Sequence, residues 1–259
     1  MIDSHLHYSY FNESDLHNII TKSPYYDKYM LYHSVLYDKI DITKYLKTCE
    51  KAFLIPFVYK EMDIGKSNTE LYNFAKKYNN IFCLPLIGDN SIIDNHNILG
   101  MKEHFLVHNC FDVCLRDEYY SYLNKKKKIL LIHCDDSVRL KYIKYLREKY
   151  PDMILMIAHL GEDRKNIANT IQFLERYKND LNIYFDISTV FDEKVLLFAK
   201  DNLIIEHILY GSDLPYGNDS KIFEKYISLH KKIFNESQLK NIYSTNAQKL
   251  IEKILANNS

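Results

Sequence analysis

The chain opens Met1-Ile2-Asp3-Ser4-His5-Leu6-His7, and the reading of the whole molecule works outward from this stretch. Ile2–His7 is a short apolar run of strand character. In a strand, residues i and i+2 project from the same face. His5 and His7 therefore stand side by side, and a regular pleat puts Asp3 one step behind them on that face. Paired neutral imidazoles aimed at one point suit a divalent transition metal such as zinc. Two incidental histidines in a buried strand would give the same local pattern, so the rest of the chain has to decide.

Seven further apolar runs follow: Ala52–Tyr59, Ile81–Ile87, Leu99–Val107, Ile129–Cys134, Met153–His159, Ile183–Ile187 and Ile208–Asp213. Each is brief, rich in branched or aromatic residues, and bounded by polar or turn residues. Helical patterns lie between most of them. Ser67–Tyr78 opens with Ser67 and Glu70 at capping-box spacing. Asp136–Tyr150 stops before Pro151, as a helix should. Asp163–Tyr177, Glu193–Lys200 and Lys221–Ile233 follow, and Gln238–Leu255 forms a C-terminal helix. Strand–helix alternation implies parallel strands with right-handed crossovers. Eight such strands in 259 residues favour a closed ring over an open sheet, at a length close to the roughly 250 residues of a (β/α)8 barrel. The expectation is an α/β fold, a single TIM barrel over residues 1–259. The long Tyr-rich insertion Tyr8–Asp41, after the first strand, is expected to sit over the barrel mouth as a lid or substrate wall.

Composition narrows the function classes. Lysine plus arginine and aspartate plus glutamate each number 34, for a formal net charge of zero. No basic field argues for nucleic acid. The run Lys125–Lys128 reads as the end of a surface helix, where cations suit the dipole. The five cysteines are scattered, with no C-x-x-C pair. No secretory leader is evident, and no apolar run approaches the ~20 residues of a membrane span. The expectation is a cytoplasmic protein that acts on a small molecule without nucleic acid or membrane, with homo-oligomerisation left open.

In a TIM barrel, the C-terminal end of every strand opens onto one cavity. The first strand ends in His5 and His7, the fourth holds Lys102 and His104, and the fifth ends at His133. The sixth ends at His159, the seventh near Asp186 and Ser188, and the eighth at Asp213. Packing alone would favour valine or isoleucine at such positions. Burying imidazoles and a carboxylate without partners costs a few kcal/mol each, and a cation at their centre offsets that cost.

The ordered set resembles the amidohydrolase superfamily, and within it the amidohydrolase-related (amidohydrolase 2) family. Ile2-Asp3-Ser4-His5-Leu6-His7 resembles the family's first-strand D-x-H-x-H, and Gly100-Met101-Lys102-Glu103-His104 its fourth-strand G-x-K-x-H. Leu131-Ile132-His133, Ile157-Ala158-His159-Leu160-Gly161 and Tyr184-Phe185-Asp186-Ile187-Ser188 are similar to its fifth, sixth and seventh strands. Gly211-Ser212-Asp213-Leu214-Pro215 is similar to G-S-D-x-P, and Asn246-Ala247-Gln248-Lys249-Leu250 to N-A-x-x-L of the terminal helix. Phe105 stands where the family often has proline, and Glu162 where it often has a second glycine.

The resemblance implies roles. His5, His7, His133 and Asp213 would bind zinc, one ion or two, with manganese, iron or cobalt as alternatives. His159 would bind a second metal or polarise the substrate. Asp213 would also carry the proton from attacking water to leaving group, making Asp213 and His159 the catalytic pair. Lys102 would bridge two metals if carboxylated, or stay cationic and hold a substrate carboxylate or carbonyl. His104 would touch substrate or pack structurally. Glu162 near the mouth would bias the pocket toward cationic or neutral substrates, or cap the next helix with Asp163. The implied activity is metal-dependent hydrolysis of an amide, lactone or similar bond. Non-oxidative decarboxylation of an aromatic or unsaturated carboxylate, and a barrel that binds ligand without chemistry, are the alternatives. Arg116, Arg139 and Arg164 read as lying in or near helices, away from the pocket, which tilts the expectation toward hydrolysis.

Overall fold

The computed structural model describes residues 1–9, 42–59, 62–88, 97–104, 116–133, 137–164, 166–214 and 220–257. Eight strands run in chain order: β1 Ile2–Tyr8, β2 Lys51–Pro56, β3 Ile81–Cys83, β4 Gly100–Glu103, β5 Ile129–Ile132, β6 Ile154–Ile157, β7 Ile183–Asp186 and β8 Ile208–Leu209. They form two parallel ladders, β1-β2-β3 and β4-β5-β6-β7-β8. Bridges Cys83↔Ile98 and Leu86↔Lys102 join the ladders on one side. On the other side, the N–H groups of Ser4, Asp213 and His7 donate to the carbonyls of Tyr210, His5 and Leu214. The ring is therefore closed, a TIM barrel as the strand–helix alternation implied.

The helices are α1 Ile42–Leu46, α2 Ile64–Ala75, α3 Asp117–Lys126, α4 Ser137–Lys149, α5 Ile167–Tyr177, α6 Glu193–Asn202, α7 Ser220–Ile233, α8 Glu236–Lys240 and α9 Asn246–Ala256. Period-two alternation sorts the strand residues between two layers. Phe53, Ile55, Phe82, Ile129, Leu131, Ile154, Met156 and Leu209 fill the interior. Leu130, Ile132, Leu155, Ile157 and Phe185 face outward onto Leu123, Ile143, Leu146, Phe173 and Leu196 of the helices. The strands are buried on both faces, which is why they read as continuous apolar runs. Helix α9 lays Leu250, Ile251 and Ile254 on the interior cluster, beside the opening residues of β1, β5 and β6.

Local chemistry moves several boundaries. Helix α2 starts at Ile64 rather than Ser67, because the Asp63 carboxylate accepts the Lys66 N–H at 2.9 Å and caps it first. The terminal helix does not run unbroken from Gln238. Asn235 and Gln238 form a capping box that starts α8, and a π-turn over Asn241–Thr245 separates α8 from α9. The lysine run is divided: Lys127 takes a left-handed conformation, φ 50°, as the cap of α3. Lys128 is buried, and its ammonium donates to the Ile98 carbonyl at 2.9 Å. Of the expected lid over 8–41, only Tyr8 and Ser9 fall within the described residues. Among the described residues, no helix is long and apolar enough to cross a membrane.

Candidate metal centre

A bulge decides which way the two N-terminal imidazoles point. Ile2 lies in the interior cluster, so an unbroken pleat would send His5 and His7 outward. The register of β1 on β2 shifts between Asp3 and Leu6. Leu6 then packs outside the ring with Leu46, Leu54 and Leu71, and His5 and His7 face in. The expected common face for Asp3, His5 and His7 is thus corrected. Asp3 points outward, where its carboxylate accepts the Tyr45 hydroxyl at 2.9 Å, because the bulge inverts the alternation between it and His5.

Three imidazoles, those of His5, His7 and His159, are anchored through Nδ1. That of His5 donates to Asp186 Oδ2 at 2.9 Å, that of His7 to the Pro56 carbonyl at 3.0 Å, and that of His159 to the Ser188 carbonyl at 2.8 Å. With hydrogen on Nδ1, a neutral ring offers only a lone pair at Nε2. The Nε2 atoms of His7 and His5 lie 3.2 and 3.5 Å from one oxygen, Asp213 Oδ1. Lone pairs converging on a carboxylate repel unless a cation stands among them, so this donor set fits a divalent metal ion. His5, His7 and Asp213 form one group whose ligand atoms lie within 4.8 Å of one another, and His5, His159 and Asp186 form another. In the second group, the Asp186 oxygens are already engaged. Oδ1 accepts the N–H groups of His159 (3.1 Å) and Ser188 (3.0 Å) and the Ser188 hydroxyl, while Oδ2 holds His5. Asp186 orients imidazoles, a role the sequence reading did not assign; its signal was a carboxylate at an inward position of the seventh strand.

Backbone strain gathers at the same strand ends. Ala158 faces the interior, so His159 would point outward in a continuing strand. It instead adopts φ 55° and ψ 36°, followed by Leu160 at φ 53°, and this left-handed turn swings the imidazole inward. Thr189 and Asp213 are left-handed as well, at φ 52° and 57°. Such residues cost about 1–3 kcal/mol each and persist where surrounding contacts fix them. The Asp213 N–H donates to the His5 carbonyl at 2.8 Å. Gly211 is required nearby, since a Cβ there would lie 2.7 Å from the His5 Cβ.

The imidazoles of His7, His5, His159, His133 and His104 form a row with successive centroids 5.2, 5.0, 4.9 and 4.7 Å apart. His133 thus meets His159 edge-on and belongs to neither close-set donor group, and His104 stands beyond it. Burial lowers His7 to about 4 and His159 to about 3, keeping both neutral at pH 7. Burial opposes ionisation of Asp213, but the charge of the His159, His7 and His5 rings when protonated, with a hydrogen bond from His7, outweighs it and holds the carboxyl well below its usual range; with the rings neutral, a bound cation would take that part. Lys102 is wholly buried, and its Nζ has no hydrogen-bond partner among the described residues. Burial lowers it to about 8, against the pull of Asp186 and Asp213.

The arginines are not alike. Arg116 is buried outside β4, 3.1 Å from the equally buried Glu103. Arg164 sits at the mouth: its guanidinium lies 3.4 Å from Glu162 and donates at 3.3 Å to the Thr189 hydroxyl, itself 3.2 Å from His159 Nδ1. The side chain of Arg139 is outside the described residues. Asp163 accepts the Asn166 N–H at 3.1 Å in the turn before α5, but it is not the cap: that position is Asn166, with no side-chain capping bond. Glu162 does not cap; Arg164 engages its carboxylate.

No family model matches the chain, and no curated protein does. Solved structures match along nearly all of it. Amidohydrolase 2 from Bifidobacterium longum subsp. infantis is 16% identical with a TM-score of 0.68, covering 97% of this chain and 98% of that one. A probable 2-pyrone-4,6-dicarboxylic acid hydrolase from Acinetobacter baumannii, with citric acid bound, is 15% identical with a TM-score of 0.66 and coverage of 97% and 98%. A dihydroxybenzoic acid decarboxylase from Polaromonas, with bound manganese and the inhibitor 2-nitroresorcinol, is 16% identical with a TM-score of 0.65 and coverage of 97% and 96%. The chain shares the fold of these proteins, whose names include an amidohydrolase 2, a hydrolase and a decarboxylase.

Proposed function

We propose that this chain is a divalent-metal-dependent hydrolase of the amidohydrolase 2 kind, cleaving an amide, lactone or similar C–N or C–O bond of a small molecule. The observation that carries the reading is the convergence of two Nδ1-anchored imidazoles, His5 and His7, on Asp213 Oδ1. These three residues would hold the ion, with His133 as the expected fourth ligand and zinc the first candidate, ahead of manganese, iron or cobalt. A bound ion of this kind polarises a carbonyl and brings the pKa of a coordinated water near 7.

The remaining steps belong to the protein. Asp213, ionised at neutral pH, accepts the proton of the attacking water and returns it to the leaving atom. His159 is neutral, and its Nδ1–H is committed to Ser188. It therefore presents a lone pair, which favours ligation of a second ion over donation to a substrate carbonyl. The buried ammonium of Lys102 binds the substrate carbonyl or carboxylate oxygen, with His104 at the outer end of the imidazole row as a further contact. A carboxylated Lys102 would add a third anion beside Asp186 and Asp213, which favours the unmodified amine.

Decarboxylation is the second reading, and Arg164 favours it. Its guanidinium donates to the Thr189 hydroxyl, which lies 3.2 Å from His159 Nδ1, so it supports a carboxylate-binding role. Arg164 and Lys102 would clamp a carboxylate substrate. Elemental analysis of protein purified without added metal is expected to give one or two ions per chain. A folded protein that binds none overturns both readings. Assay of the loaded enzyme on lactones and amides beside dihydroxybenzoates separates them: release of carbon dioxide without lactone or amide cleavage refutes the hydrolase.

A further inference from the structure

We infer that Asp3 is a positioning residue for the metal centre: its carboxylate fixes the β1 bulge that turns His5 and His7 inward and ties it to the turn carrying Asp213. The inference rests on the metal-centre reading above. A one-residue change of register in a strand sends every following side chain to the opposite face. Without the bulge, Leu6 would enter the barrel and both imidazoles would leave it.

The bulge takes the His5 N–H out of the ladder, and Asp3 Oδ1 captures it at 3.0 Å. The same oxygen accepts the Ser212 N–H at 3.0 Å. One atom thereby links the backbone of the first ligand to the residue preceding the last, Ser212, which is 209 positions from Asp3 in sequence. Oδ2 is held by the Tyr45 hydroxyl at 2.9 Å, and that hydroxyl lies 3.4 Å from the Tyr210 hydroxyl. Asp3 is fully buried. A carboxylate is tolerated there because these donors replace water, whereas an apolar residue would leave two buried N–H groups without acceptors. Asp3 lies outside both close-set donor groups, so it acts through the backbone rather than as a ligand.

The test compares zinc affinity, measured by competition with a chromogenic chelator, across the wild type, Asp3→Ala, Asp3→Ser and Asp3→Asn. The cobalt(II) absorption spectrum and the urea midpoint of the metal-free protein are recorded alongside. Loss of a partner that orients ligands typically weakens metal binding roughly 10–100-fold, and that loss is expected for Asp3→Ala, with an altered cobalt band. Asparagine keeps Oδ1 and turns its amide N–H toward the Tyr45 oxygen, so Asp3→Asn is expected to return affinity to within about threefold of wild type. Serine can accept one N–H but cannot span both strands, so Asp3→Ser is expected to fall between, and it serves as the folded probe if the alanine variant does not fold. Wild-type zinc affinity and cobalt spectrum in the alanine variant, or in the serine variant when alanine does not fold, would overturn the inference even if urea stability had dropped. A wild-type protein that binds no zinc would instead sink the metal-centre reading itself.

Discussion

Where its strands begin, the barrel is filled by Ile2, Phe53, Ile129, Leu131, Ile154 and Met156, closed by Leu250, Ile251 and Ile254 of α9; where its strands end, the same ring encloses His5, His7, Lys102, His159, Asp186 and Asp213, also buried. The base contributes stability, at about 1.5–3 kcal/mol for each large apolar side chain taken from water. The mouth withdraws some of it through desolvated polar groups and left-handed residues at 159, 189 and 213. Stability and chemistry are thus separated along the barrel axis, and substitutions at the two ends should have opposite signatures.

The largest expected effect is at the mouth. Asparagine tolerates the left-handed conformation of position 213 but cannot take a proton. Asp213→Asn should lower turnover about 10²–10⁴-fold, while circular dichroism shows the barrel still folded. Near-normal turnover would remove the proton-transfer role. At the base, Leu131→Ala should cost about 2–5 kcal/mol in urea unfolding without altering the zinc stoichiometry of the folded fraction. A change in stoichiometry would show that the two ends are coupled after all.

Lys102 sharpens the contrast because it belongs to the mouth yet sits within the ring. Its fall from 10.5 to about 8 corresponds to about 3 kcal/mol of destabilisation at neutral pH. Lys102→Met should therefore raise stability while abolishing turnover. Between pH 8 and 10.5 the unfolded wild type holds a proton that the folded form has released. Its stability should rise over that window, and the variant's should not. Destabilisation at pH 7 would refute this account.

Acid probes the imidazoles. His7 and His159 titrate near 4 and 3 when folded, against about 6.5 unfolded. The unfolded chain takes up their protons first, so metal-free protein should lose stability as pH falls from about 6.5 toward 4. The two imidazoles alone would set a limit of about 2.7 kcal/mol per pH unit, which Asp3 cuts to roughly half. Asp3, raised by burial to about 6, works the other way below that pH and moderates the slope. A flat profile would show that the imidazoles are not held neutral. The smallest effect belongs to neither end: Asp63→Ala, at the cap of α2, should cost about 1 kcal/mol and leave zinc affinity unchanged.

This division also governs how much could be read in advance. The apolar runs revealed all eight strands, because residues buried on both faces leave an unbroken apolar trace. Closure of the ring and the gathering of His5, His7 and Asp213 followed from strand order and strand ends. What escaped the reading lies where alternation breaks. The β1 bulge inverts Asp3, and the turn at His159 reverses its side chain. The anchoring roles of Asp186 and Tyr45 depend on contacts across more than 40 residues of chain or between strands, which no local pattern records. Arg164 lies near a helix, as its sequence position implies, but its contact with Thr189 comes from another strand end and leaves no local trace. Lys128 was read as part of a surface run, although the chain re-enters the barrel there.

The seam between β1 and β8 joins one part of the polymer to another made much later. His7 and Asp213 are 206 residues apart. At about 5–20 residues per second on the ribosome, the first two imidazoles wait some 10–40 s for their carboxylate partner to be synthesised. A nascent chain therefore cannot sequester an ion securely until the eighth strand and Asp213 have been made, and products that stop before them should remain metal-poor and prone to clearance.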